Sequence, residues 1–235
     1  MMNRAKKLKN RADQRVREIT TQAKAVFLKK GYSASTMEEI ATLAGISKGT
    51  VYLYFKNKDD LYVSLILAHF EKWVRLMKEF RERFATTQYS SGWEVLEEFY
   101  QVFVALYLND PDAIRITQTY ILGNIYLQVD EKTKEKIFSL AREARLLSVE
   151  ILSECVKRGL LPKINHRQLT TVLTGTFLGI VQLENQRFRL SGKDHMADTL
   201  NLCFSLMAEG LAKGKERRAV RLFKKTTHRE SARRR

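Results

Sequence analysis

Thr36-Met-Glu-Glu-Ile-Ala-Thr-Leu-Ala-Gly45-Ile-Ser-Lys-Gly-Thr-Val-Tyr-Leu-Tyr-Phe55 reads as a helix, a tight turn and a second helix. Ser35 and Thr36 each stand three residues before a glutamate, Glu38 and Glu39. Either pair makes a capping box, in which hydroxyl and carboxylate satisfy each other's orphan backbone N–H groups. Gly45 falls where a turn between two steeply crossed helices requires positive φ. Ser47 can cap the second helix, which is expected to run from Lys48 to about Tyr54. Ile40, Ala41, Ala44, Ile46, Val51 and Phe55 form the packing set, with small alanines where the second helix must come close. Lys48, Gly49, Thr50, Tyr52 and Tyr54 are left over, a face of small and donor-bearing residues suited to a helix laid in a DNA major groove. The competing structural reading is a plain helical hairpin with a polar face.

Outward from this motif the periodicity stays helical. Val16, Ile19, Ala23, Val26 and Phe27 draw one apolar face over about 12–30, and Gly31 after Lys29-Lys30 is a stop signal. Asn57 caps a helix with Asp59 and Asp60 in its first turn, continuing to about Phe84, a rod of roughly 40 Å. Further helices are expected near 93–108, 111–122 (Asp110-Pro111 being a cap followed by proline), 130–158, 165–190 and 194–212. There is no internal repeat and no convincing strand. The fold class is therefore all-α, about nine helices, with an N-terminal three-helix helix-turn-helix unit and a larger helical bundle. The expected division is 1–56 for the N-terminal arm and helix-turn-helix, 57–212 for the bundle, and 213–235 for a basic, frayed tail.

Composition narrows the class. The 235 residues are 44% hydrophobic and 29% charged, with only 2 prolines and 11 glycines, too few breakers for a β-sandwich or a parallel sheet. Two cysteines cannot make a disulfide framework, so a reducing cytoplasm is expected. The longest uncharged stretches, 116–129 and 168–183, fall short of the ~20 apolar residues of a membrane span and carry Thr, Gln or Asn. No signal-peptide core follows the basic N-terminus. The net charge of +16 is unevenly placed. Residues 1–60 hold 13 Lys+Arg against 6 Asp+Glu, residues 61–211 hold 18 of each, and residues 212–235 hold 11 against 2. Two basic ends on a neutral body imply a polyanionic partner.

Catalytic chemistry is not expected. His69, His166, His195 and His228 are scattered, with no second ligand at helical spacing. Glu38-Glu39 and Glu97-Glu98 read as caps or solvated faces. No glycine loop of the phosphate-cradling kind occurs. We expect no enzyme activity, no metal and no cofactor.

The run Gly45-Ile-Ser-Lys-Gly-Thr-Val-Tyr-Leu-Tyr-Phe-Lys-Asn-Lys-Asp-Asp-Leu61, with its lead-in from Lys29-Lys-Gly-Tyr32 to Ala41, resembles the DNA-binding domain of the tetracycline-repressor (TetR) family. The resemblance covers about Arg15 to Leu67. It implies a cytoplasmic, homodimeric, ligand-responsive transcriptional regulator, a repressor, on a near-palindromic double-stranded operator. Under it, Thr36 would hold a phosphate from a helix N-terminus, and Lys48 and Thr50, behind Ser47, would meet base edges or nearby phosphates. Gly49 would admit the backbone closely, Tyr52 and Tyr54 would bond phosphates, and Lys58 would meet another. Arg4, Lys6, Lys7, Lys9 and Arg11 would form an arm over the DNA. The body would bind a small, mostly apolar or aromatic effector. Its expected lining is Trp93, Phe99, Phe103, Tyr107, Tyr120, Tyr126 and Phe177, with Gln118, Asn124 and Gln182 as polar anchors, although aromatics at helical spacing also serve as core. The helices at 165–190 and 194–212 would pair with their copies in a second subunit, helped by Gly175-Thr-Phe-Leu-Gly179. The alternative is a sequence-independent architectural or membrane-surface protein driven by its basic ends.

Overall fold

The computed structural model describes residues 2–122 and 129–212, and among them every regular element is a helix. In chain order these are α1 (Met2–Ala34), α2 (Met37–Leu43), α3 (Lys48–Tyr52), α4 (Lys58–Thr86), α5 (Gly92–Asn109), α6 (Pro111–Leu122), α7 (Glu131–Lys157), α8 (His166–Ser191) and α9 (Met196–Ala212). Expected and observed ends agree within a few residues, apart from three differences. First, α1 begins at Met2, so the expected arm of residues 4–11 is a continuous extension of the helix. The run carries alanine, lysines and arginines and no proline or glycine, so nothing in it stops a helix from propagating backwards. Second, Gly31 (φ 80°) breaks α1 as expected, but one more turn follows before Ser35. Third, α3 ends at Tyr52 rather than Tyr54, and Leu53 closes it. Asn124, Tyr126 and the tail from 213 lie outside the described residues.

Apolar burial falls into two clusters joined along α4. The head core gathers Ile19, Ala23, Val26 and Phe27 of α1, Ile40 and Ala41 of α2, Val51 of α3 and Leu61, Leu65 and Ile66 of α4. It continues onto Ile116 and Tyr120 of α6 and Ile137 of α7. The body core packs Met77 and Phe80 of α4 with Phe99 and Phe103 of α5, Leu152 of α7, Phe177 of α8 and Phe204 of α9. Trp73 and Leu140 touch both clusters. The first half of α4 thus belongs to the head and the second half to the body.

Helix α6 is the second connection between head and body. Lys24 of α1 forms an ion pair with Asp110, the residue before α6. The buried Tyr62 hydroxyl of α4 donates to the Ile116 carbonyl at 3.2 Å. Tyr62 also packs edge-on against Phe27 and Tyr32 at 4.9 Å between centroids. The same aromatic therefore fixes α4 against α1 and against α6. Burial pushes its phenol well above the usual range, so it stays a neutral donor at any ordinary pH.

Candidate nucleic-acid interface and body cavity

The motif is built by its caps. Thr36 Oγ1 accepts from Glu39 N at 3.2 Å, and Glu39 Oε2 accepts from Thr36 N at 3.3 Å, which completes the capping box. Lys30 of α1 pairs with Glu39 and holds its carboxyl below the usual range, so one acid caps α2 and ties it to α1. Gly45 sits at φ 65°, the left-handed turn that swings α3 across α2. Ser47 Oγ accepts from Thr50 N at 3.1 Å, and its hydroxyl lies 2.8 Å from that of Thr50. Val51 is fully buried beneath α3 and Phe55 nearly so.

What stays outside is the predicted face. Thr36, Ser47, Lys48, Gly49 and Tyr52 are exposed, and Thr50 and Tyr54 are half-buried. Tyr54 rests on the head core. Lys48 Nζ is 2.6 Å from Glu38 Oε1, an exposed pair that raises the lysine's pKa through the hydrogen bond. Any anion approaching Lys48 therefore competes with Glu38, which the sequence reading treated only as a cap acid. Lys58 is placed differently from the expectation of a phosphate contact. Its ammonium donates to the carbonyls of Tyr32 (2.8 Å), Ser33 (3.3 Å) and Ser35 (3.0 Å) and sits 4.5 Å above the Tyr32 ring. It closes the end of α1, an inward turn that its place at the start of α4 does not announce. Leu53, beside Tyr52, is 83% exposed.

The body contains a cavity of about 820 Å³ walled by four helices. Helix α4 supplies His69, Phe70 and Trp73, and α6 supplies Ile114, Thr117, Gln118 and Ile121. Helix α7 supplies Phe138, Ala141, Arg142 and Arg145. From α8 come Thr170, Thr171, Thr174, Gly175, Leu178, Gly179 and Gln182. Of the expected lining, Gln118 and Gln182 stand in this wall. Phe99, Phe103 and Phe177 are packed on one another in the body core, with Phe103 and Phe177 4.8 Å between centroids. Tyr107 packs against that core, Tyr120 is buried in the head core, and Trp93 borders a separate surface depression with Tyr100 and Phe204. The large aromatics fill space, and the space left open lies along the small residues of α8. Gly175 and Gly179, read as a helix-approach motif, line the cavity, and a Cβ at either meets nothing within 4 Å in this chain.

Part of the polar capacity in the wall is committed. Thr117, Thr170 and Thr171 donate their hydroxyl protons to carbonyls one turn back, and Gln118 Nε2 donates to Leu178 O at 2.9 Å. His69 is buried, and desolvation lowers its pKa to about 4, leaving a neutral imidazole near neutral pH. The indole Nε1 of Trp73 is buried and meets no acceptor among the described residues. No group of three or more metal-ligating side chains occurs among them, and no helix is long and apolar enough to cross a membrane.

A capped helix-turn-helix that exposes a face of its second helix, joined to a helical body through α4 and α6, is the arrangement of a DNA-binding protein. Residues 19–65 match the family described as bacterial regulatory proteins, tetR family. The chain is thus similar to that family over its helix-turn-helix head and the first turns of α4. It is 28% identical over 162 residues to the HTH-type transcriptional regulator RutR of Escherichia coli O157:H7. That match spans 66% of this chain and 71% of RutR, and 57% of the RutR of strain K12 is covered. It is 39% identical over 62 residues to the fatty acid metabolism regulator protein of Bacillus subtilis (strain 168), covering 26% of this chain and 32% of that one. Among solved structures, FadR from Bacillus subtilis in complex with stearoyl-CoA superposes with a TM-score of 0.64 at 23% identity. The superposition covers 83% of this chain and 98% of FadR, a likeness of fold.

Proposed function

We propose that the protein is a homodimeric repressor that binds a near-palindromic operator and releases it when a small, mostly apolar effector enters the body cavity. The supporting observation is that α6 stands between the two sites. One side of it walls the cavity through Ile114, Thr117, Gln118 and Ile121, and the other holds the head through Asp110 and Ile116. A ligand that displaces α6 acts on the anchor of α1 and α4, so ligand and DNA favour different positions of one helix, which is the requirement for coupling. A dimer through α8 and α9 is supported by the exposed Val172, Leu183, Leu202 and Leu206, apolar side chains that a second copy would cover. Thr36, Ser47, Lys48, Gly49, Thr50, Tyr52 and Tyr54 form the DNA face, and the expected boundary at Asn57 shifts into α4, whose first half packs in the head core.

Selection of binding sites from a random duplex pool tests this reading. The expected product is a pair of inverted half-sites on one face of the duplex, bound with a steep salt dependence. Lys48→Ala and Tyr52→Phe should each weaken binding about tenfold without changing thermal stability. Enrichment of no sequence, with binding abolished by deletion of residues 213–235, would instead establish the architectural alternative.

A further inference from the structure

We infer that the effector is an amphiphile with an anionic head: its apolar part fills the cavity and its carboxylate or phosphate lies between Arg142 and Arg145. This rests on the cavity being the effector site and names the chemistry of what occupies it. Arg142 and Arg145 are three residues apart on α7 and so share one face of it. Both line the cavity, both are exposed, and neither has an ion pair or a hydrogen bond among the described residues. Their neighbour Glu143 is taken by Lys78 at 2.7 Å. No aspartate or glutamate belongs to the described wall. A pair of guanidiniums at the edge of the chamber is a receptor for an anion whose oxygens accept paired hydrogen bonds, as those of a carboxylate or phosphate do.

The remaining hydrogen-bonding capacity points the same way. The hydroxyl protons of Thr117, Thr170 and Thr171 are committed to carbonyls, and His69, held neutral by burial, brings no counter-charge. The orphaned indole N–H of Trp73 needs an acceptor, which a carbonyl or carboxylate oxygen of the ligand can supply. Exposed Ile121 and Phe138 stand with the arginines in the wall and mark where the cavity meets solvent, so apolar contact continues out to the charged edge. A cationic or purely hydrocarbon ligand would leave two arginines and one indole donor unused.

The experiment is calorimetric titration of the full chain with two acids of different shape, dodecanoate and 2-naphthoate, each against its methyl ester. At least one acid should bind about tenfold more tightly than its ester. Arg142→Gln with Arg145→Gln should abolish that preference while leaving ester affinity within about twofold, and Arg142→Lys with Arg145→Lys should retain part of it. Acid and ester binding equally in both series, or a preference unchanged in the glutamine variant, would overturn the anionic head and leave the cavity reading standing. A cavity-filling Gly179→Leu variant reports on that reading separately. It should abolish ester and acid binding together, and unchanged binding of both would place the ligand elsewhere and overturn both readings. Failure of all four compounds to bind the parent protein would also overturn the inference.

Discussion

Lys58→Met removes the ammonium that closes the C-terminal end of α1 and keeps most of the aliphatic stem. Two of its bonds, to the carbonyls of Tyr32 and Ser35, are partly buried at 2.8 and 3.0 Å, and the cation also faces the Tyr32 ring at 4.5 Å. Hydrogen bonds from a charged donor contribute about 1.5–3 kcal/mol when buried, and half-exposure lowers that to about 1 kcal/mol each here. The ring contact adds about 0.5 kcal/mol. The expected loss is therefore about 2.5 kcal/mol, most of it in the seat of the head. With an m value of about 2.5 kcal/mol/M, the urea midpoint should fall by about 1 M. It should be measured on the full chain at a fixed protein concentration, because the proposed dimer would shift apparent stability. The slope of log affinity against log salt on a selected operator should not change, because no phosphate contact is lost. An unchanged midpoint together with a slope shallower by about one would refute the latch and restore Lys58 as a phosphate contact.

Glu38→Gln frees Lys48 from its 2.6 Å partner and removes a negative charge from the DNA face; operator affinity should rise about threefold, with a steeper salt dependence. His69 is neutral in the fold with a pKa of about 4, against 6.5 for a free imidazole. The unfolded chain therefore binds the extra proton first, and stability should fall as pH drops from about 6.5 towards 4, by about 3 kcal/mol in all. Nearby Asp110, Lys72 and Lys24 modulate the shift, and His69→Gln should flatten denaturation midpoints across that window. Gly92→Ala would place a Cβ 2.1 Å from the Leu160 carbonyl oxygen and 2.8 Å from Leu161 Cδ2. Backbone must move to relieve it, so the variant should lose about 2 kcal/mol or more in denaturant unfolding.

The head was legible because its determinants are local. Thr36, Glu39, Gly45, Ser47 and Asn57 act over three or four residues of chain, and each occupies the structural position its chemistry dictates. The inward turn of Lys58 was not legible, because its partners lie 23 to 26 residues away on another helix. The open volume lies away from most of the expected aromatics for a physical reason. Aromatics such as Phe103 and Phe177 were read as pocket lining, but large rings gain most by packing on one another. An empty volume forms where side chains are small, and the informative signal was the run of Thr170, Thr171, Thr174, Gly175 and Gly179. The two arginines of α7 carried no signal at all until the fold showed that their face borders that volume.

The position of α6 has a consequence for which molecules can act. Its twelve residues form a rod of about 18 Å, one side of which lines the cavity through Ile114, Thr117, Gln118 and Ile121. Compounds lodged against α8, between Thr174 and Gly179, can occupy the chamber without pressing on Ile114 or Gln118. Such compounds would be retained yet silent, and they would block those that do reach the rod. Under the proposed function, occupancy and derepression are separable quantities, and a screen for tight binders would collect antagonists alongside inducers.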